Sequence, residues 1–379
     1  MRGRSLIGVY RCLVGLLAPV ALLLLTGNAH AYPQYIGRGD LDCSECHYSP
    51  TGGGLTNSWG RMSREATFGG DTDSWPGHSD ATGYRNSHAQ LQFDVGADVR
   101  MLPLVMTEPG GPSAAVFLPM LEELGGVAAY GPAKVYATLT GRKGPPSTGG
   151  LVPFSREHWL GFTLNPTWTL RTGRLVLPFG VRSPDHTQYV REDFGFGPWG
   201  QDYGAEVDAV TSSFSFSAAA FAGDLIADAP RRQQRGGVLR GTLTLDERAI
   251  VGVSVLGAHS QARDRGAGSL FGSVRLWSAG YVLAELAVQQ QRATEGSGKL
   301  TTIANFERAG WFVLPELDVF AELGYRGISE NGQLAKARYA LGANWQATHW
   351  FEFLPQVMVE QLKGVGPELI AMGQLHLTY

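Results

Sequence analysis

Two thiols and an imidazole near the start of the chain have the spacing of a chemical site: Cys43-Ser44-Glu45-Cys46-His47 is a C-x-x-C-H. That is the pattern of c-type haem attachment. Cys43 and Cys46 would form thioethers to the porphyrin edge, leaving His47 to reach the iron from one face as axial ligand. The run Pro50-Thr51-Gly52-Gly53-Gly54 follows, and backbone without side chains lets a flat macrocycle lie against it. The other reading is a Cys43–Cys46 disulfide or dithiol beside an incidental histidine. Export and cysteine usage favour haem. Cys12 falls inside a leader, so the mature chain keeps only the two cysteines of the motif.

A sixth iron ligand has several candidates. Met62 would raise the potential by thioether ligation, whereas His78, His88 or His186 would lower it by comparison. Met358, Met372 and His376 point inward by strand parity; water or an open position completes the set. Asp185, Glu192, Asp193 and Asp202 gather near one polar loop. They are candidates for drawing in a cation, or are loop carboxylates in water. Arg231, Arg232 and Arg235 read as a basic loop. There is no P-loop, no G-x-G-x-x-G after a strand and no spaced nucleophile–base set.

The elements that must position the motif begin with an export leader, residues 1–31. Arg2, Arg4 and Arg11 are its positive region, Leu13 to Leu25 its apolar core, and Ala29-His30-Ala31 its cleavage site. The apolar run is too short for a membrane-spanning helix. Residues 32–87 form a haem segment and connector. Leu55 to Glu65 is expected to hold a helical turn or two, with Trp59 packed on the macrocycle. Few aliphatics support this piece, so it is expected to lean on a neighbouring domain.

From residue 88 to 379 the period becomes two. Leu91, Phe93, Val95, Ala97, Val99 and Met101 alternate with polar residues and glycine, and the pattern returns at Leu317–Arg326, Arg338–Gln346 and Phe351–Glu360. It blurs around Thr301–Arg308. Of 379 residues, 51 are glycine and only 17% are charged, which suits strands and turns better than helical spans. A net charge of −3 gives no footprint for nucleic acid. Tight turns are expected at Arg171-Thr172-Gly173, Asp246-Glu247-Arg248, Ser278-Ala279 and Thr348-His349. Long loops are expected at Gly141–Phe154, Ser183–Gly200, Gly223–Gly236, Ala258–Gly268, Gln291–Gly298 and Gly327–Leu334. Short turns on one rim and long loops on the other describe an all-β fold, a transmembrane antiparallel β-barrel of about 16 strands, with both chain ends at the short-turn rim. The last strand, Leu369 to Tyr379, ends on an aromatic, like bacterial outer-membrane barrels.

The whole arrangement resembles the fused monohaem cytochrome–porins of iron-oxidising bacteria, on the strength of the leader, Cys43, Cys46 and His47, and a barrel reaching the last residue. The resemblance implies one covalent haem c, held in the lumen or at its mouth, passing electrons across the outer membrane, with an extracellular donor such as Fe(II) as one source. It implies outer-membrane lipid, the barrel insertion machinery, a periplasmic electron carrier and an extracellular redox donor or acceptor as partners, with the barrel a monomer. Two alternatives stand beside it. One is a solute porin with a Cys43–Cys46 disulfide and no redox role; the other is a barrel-anchored cytochrome serving periplasmic partners.

Overall fold

The computed structural model describes residues 46–50, 52–57, 60, 83–86, 91–107, 113–143, 151–182, 188–197, 200–224, 233–245, 248–277, 279–294, 298–330 and 332–378. The leader, Cys43, Trp59, Met62, His78, His88, Asp185 and His186 lie outside the described residues.

The strands in chain order are β1 Gly83–Asn86, β2 Leu91–Thr107, β3 Ser113–Tyr130, β4 Ala133–Lys143, β5 Leu151–Phe154, β6 His158–Thr163, β7 Trp168–Val176, β8 Gln201–Val210 and β9 Phe214–Phe221. After them come β10 Arg235–Leu245, β11 Ala249–His259, β12 Arg263–Leu276, β13 Gly280–Ala293, β14 Lys299–Leu314, β15 Leu317–Glu330, β16 Gly332–Thr348, β17 Phe351–Leu362 and β18 Pro367–Thr378. One helical turn, α1 Tyr189–Glu192, lies between β7 and β8. β5 and β6 both pair with β4 and form one wall strand broken at 155–157. β1 is a spur on the first residues of β2, Leu91 to Asp94. Setting β1 aside and joining β5 to β6 leaves 16 wall strands, antiparallel throughout and closed by β18 on β2. Closure follows from the solvent: an unpaired strand edge cannot face lipid.

The side-chain distribution is that of a soluble protein turned inside out. Val95, Leu124, Val135, Val253, Leu270, Leu341 and Val357 face outward and are exposed, while Asp94, Glu123, Arg171, Glu206, Glu285, Arg308 and Gln356 face the lumen and are buried. Exposed Tyr130, Trp168, Phe214, Trp277, Trp311, Trp345 and Trp350 gather at the short-turn rim, an aromatic girdle of the kind that seats barrels at the lipid–water boundary. An arginine placed at Val253, in the middle of this outer face, is expected to cost about 2–4 kcal/mol. Urea unfolding in detergent measures it, with Val253→Leu as the neutral control. Equal midpoints for the two variants would mean that this face does not meet lipid.

Both described ends of the barrel, Leu91 and Thr378, stand at the short-turn rim, as the alternation of turns predicts. Three connections differ from expectation. Arg171-Thr172-Gly173 is not a turn but the middle of β7, paired to Glu206, Ala205 and Gly204. The turn lies before it, where the Asn165 side chain accepts bonds from the Thr167 and Trp168 amides at 2.9 and 3.0 Å. Gly173 marks a close approach: it sits at φ 141°, and a Cβ there would fall 2.3 Å from the His158 carbonyl oxygen. Ala258–Gly268 and Gly327–Leu334 are mostly strand: β11 runs to His259 and β12 starts at Arg263, and β15 runs to Glu330 and β16 starts at Gly332. Polar residues keep pairing there past the apolar band.

The closing seam has an interruption. β18 pairs with β2 from Leu369 to Met372 and again from Leu375 to Thr378, leaving Gly373 and Gln374 unpaired against Leu102 and Pro103. The β16–β17 ladder has a matching gap opposite Leu354 and Pro355. Proline brings no N–H to a ladder, and Pro355 is the direct partner of Gly373.

Two inserts pack against the inner wall. Residues 177–197, carrying α1, pack an apolar face of Leu177, Phe179, Val181, Val190, Phe194 and Phe196 against inward Phe221, Phe271, Leu283 and Phe306. Residues 46–57 pack on the opposite wall, β2 to β7.

Candidate functional site

The arm begins with the second half of the C-x-x-C-H. His47 and Thr56 pair as an isolated antiparallel bridge. The Asn57 amide donates to the Cys46 carbonyl at 2.8 Å and the Tyr48 amide to the Leu55 carbonyl at 3.2 Å, so the segment is a small hairpin. Its bend is Gly52-Gly53-Gly54, at φ 85°, 69° and 66°, a left-handed run that only glycine adopts without strain. A Cβ on Gly53 would fall 2.8 Å from Arg182 Nε and one on Gly54 2.7 Å from Tyr136 Oη, so the run lets the bend press against the barrel wall.

Several contacts fix the hairpin there. Leu55 is buried with Val127, Tyr136, Trp159 and Leu175. Ser49 Oγ accepts from Arg171 Nη1 at 3.0 Å and from Arg182 Nη1 at 3.1 Å. Gln92 Nε2 donates to Tyr48 Oη at 3.4 Å. Both arginines are themselves held by the wall. Arg171 pairs with Glu206 and lies 3.6 Å from Asp208, and Arg182 pairs with Glu157 at 3.3 Å. Further along, Arg156 pairs with Glu123 at 2.7 Å and Arg174 with Asp224 at 3.0 Å. Low dielectric makes such pairs strong only while both partners stay in place.

His47 lines a cavity of about 310 Å³ shared with Tyr48, Asn57, Gln92, Lys134, Trp159 and Arg171. Its wall residues come from the short-turn ends of β2, β4, β6 and β7. Trp159 stacks on Tyr136 with ring centroids 5.0 Å apart and an interplanar angle of 11°. An imidazole, a flat aromatic wall and two cations suit a c-type haem in kind, and the volume lies at the low end of ligand cavities, about 300–1,000 Å³.

The remaining candidates are scattered. Met358 is buried on the inner wall of β17, opposite Ala340. His376 does not offer a nitrogen to iron: Nδ1 lies 2.7 Å from Glu352 Oε2 and Nε2 3.0 Å from Asp98 Oδ1. The acidic group is divided. Asp202 stands on β8 opposite Leu175, while Glu192 and Asp193 belong to the other insert, whose helical turn packs on β13 to β15. Arg326 holds Asp193 at 2.5 Å. The arginine–carboxylate ladder around the arm is absent from the sequence reading. Its one signal was Glu206 and Asp208 two residues apart, on one face of a strand.

No protein-family model matches the chain, and no curated protein matches it. Solved structures do. A loop-deletion mutant of OmpT, an outer membrane protein of Vibrio cholerae, superposes with a TM-score of 0.63 at 10% identity, over 76% of this chain and 100% of that one. An anion-selective porin from Comamonas acidovorans gives 0.59 at 11% identity, over 76% and 100%. OmpF of Salmonella typhi, in complex with daunomycin, gives 0.60 at 9% identity, over 78% and 100%. At these identities the likeness is one of fold: the closed barrel of 16 strands is that of outer-membrane porins.

Proposed function

We propose that this chain is a porin-like channel barrel of the outer membrane, narrowed by two inserts of its own, and that the C-x-x-C-H arm makes it a conduit for electrons. The observation that carries the reading is the seat of Cys46 and His47. His47 lines a cavity at the short-turn rim, and Cys46 belongs to the same hairpin, its carbonyl accepting from the Asn57 amide. In barrels of this kind the short turns face the periplasm.

Cys43 and Cys46 would hold the haem, and His47 would ligate its iron. When bound, the group supplies a one-electron iron couple partway across a hydrocarbon layer about 30 Å thick. The chain's own residues do the rest. Arg171 and Arg182 fix the arm through Ser49, Trp159 and Tyr136 give the cavity an apolar side, and the second insert keeps bulk water from crossing. A periplasmic electron carrier would meet the cavity from its rim. An extracellular donor such as Fe(II) would act from the other side.

A second reading, passage of small solutes with the two cysteines joined, is the one that the porin likeness speaks for directly; that likeness is silent on haem. The test is expression of the full chain, leader included, with the haem-attachment machinery, followed by a pyridine haemochrome spectrum of denatured protein. One haem per chain is expected, and none in Cys43→Ala/Cys46→Ala. A haem-free product with its two sulfurs joined, conducting ions in a planar bilayer, would establish the solute porin instead. Reduction of vesicle-held haem by a donor that cannot cross the membrane separates a conduit from a barrel-anchored cytochrome.

A further inference from the structure

We infer that the cavity beside His47 is a binding site for a carboxylate group, with Lys134 as its counter-charge. The cavity is lined by hydrogen-bond donors and has no acid among its lining residues: Lys134, Arg171, Gln92, Asn57 and Trp159 all border it. Arg171 is already matched from behind by Glu206 and Asp208. Lys134 is not: among the described residues no carboxylate stands within ion-pair distance of it, and its ammonium is the one positive charge on the cavity wall left over. Trp159 adds a second unused donor. Its indole Nε1–H is buried and has no acceptor among the described residues. A buried donor without a partner is costly enough that native structures rarely keep one unless something occupies the place. Lysine binds anions as a compact point charge, and an indole N–H from the same cavity lining would complete the recognition of one carboxylate.

Two sources offer this chemistry. One is a propionate side chain of a porphyrin fixed at Cys43 and Cys46, and this branch rests on the haem reading above. The other is a small free carboxylate entering from the rim, which needs no haem. The test uses the full-length barrel in both forms. In haem-loaded protein, Lys134→Met is expected to move the midpoint potential downward, because removing a cation favours the more positive ferric state; Lys134→Arg restores it. In haem-free Cys43→Ala/Cys46→Ala protein, calorimetry with propionate ion is the probe. If the free anion is the occupant, propionate binds, and Lys134→Met weakens it roughly tenfold, the worth of one charge-assisted bond. A shift in potential alone assigns the porphyrin side chain, and propionate binding assigns the free anion. Failure of haem attachment leaves the calorimetric branch intact. The absence of both a potential shift and propionate binding overturns the inference and leaves Lys134 a solvated rim lysine.

Discussion

Replacing Arg171 with methionine is expected to destabilise the barrel by about 3–5 kcal/mol, the cost of stranding buried charge. The Arg171 side chain is 2% exposed, and Glu206 and Asp208 beneath it are 0% and 1% exposed. Without the guanidinium, two carboxylates two residues apart on β8 confront each other in the dry part of the wall. Among the described residues, only Ser217 Oγ, 2.6 Å from Asp208 Oδ1, still donates to the pair. The arm loses one of its two anchors on Ser49 at the same time. Urea midpoints of refolded protein in detergent measure the effect. Arg171→Met/Glu206→Gln/Asp208→Asn should recover most of the loss, since neutral amides remove the stranded charge. A single variant as stable as the parent would show that water reaches these carboxylates.

Phe194→Ala should release the second insert while leaving the wall standing. Phe194 is 1% exposed, within the cluster formed by Phe179, Phe196, Leu283 and Phe306. Its ring lies 6.4 Å from that of Phe179, centroid to centroid. Truncating a buried phenylalanine costs about 3–5 kcal/mol. That loss falls on a segment that is otherwise tied to the wall by single bonds, among them the Val181 amide to Glu285 Oε2 at 3.0 Å and Tyr189 Oη to Glu360 Oε1 at 2.7 Å. Strands β10 to β14 behind it are tied to one another along nearly their whole length, so detachment of the insert is expected to precede unfolding. Trypsin should then cut at Arg191, which is buried in the parent, and single-channel conductance should rise. Resistance to trypsin with unchanged conductance would mean that the insert does not depend on this core.

The outer face was legible in the chain because lipid tolerates one kind of residue and strand geometry repeats it every second position. Phe93 and Val95 announce themselves. The inner face was harder to read because it obeys its contents. Phe306 and Ala304 point inward against the second insert, while Asn305 and Glu307 share the opposite face and bond each other at 3.1 Å, which is why alternation blurred along β14. Arg171-Thr172-Gly173 read as a turn because a charged residue, a hydroxyl and a glycine have turn composition; inside a barrel, the same arginine is a wall residue facing a filled lumen. Of the chemical site, only Cys43, Cys46 and His47 carried a spacing that could be recognised. Lys134, Trp159 and Arg171 lie on three different strands, and nothing local in the chain declares that they meet.

A cylinder is usually thought of as having no beginning, yet this one keeps a trace of where it was fastened. The join between its first and last strands consists of two runs of four residue pairs with a bare interval at Gly373 and Gln374. Each run alone is a weak clasp, and either can let go while the other holds. Zipping during assembly can therefore pause halfway with the register already chosen, and a pull on the C-terminus would be met by two small forces in succession.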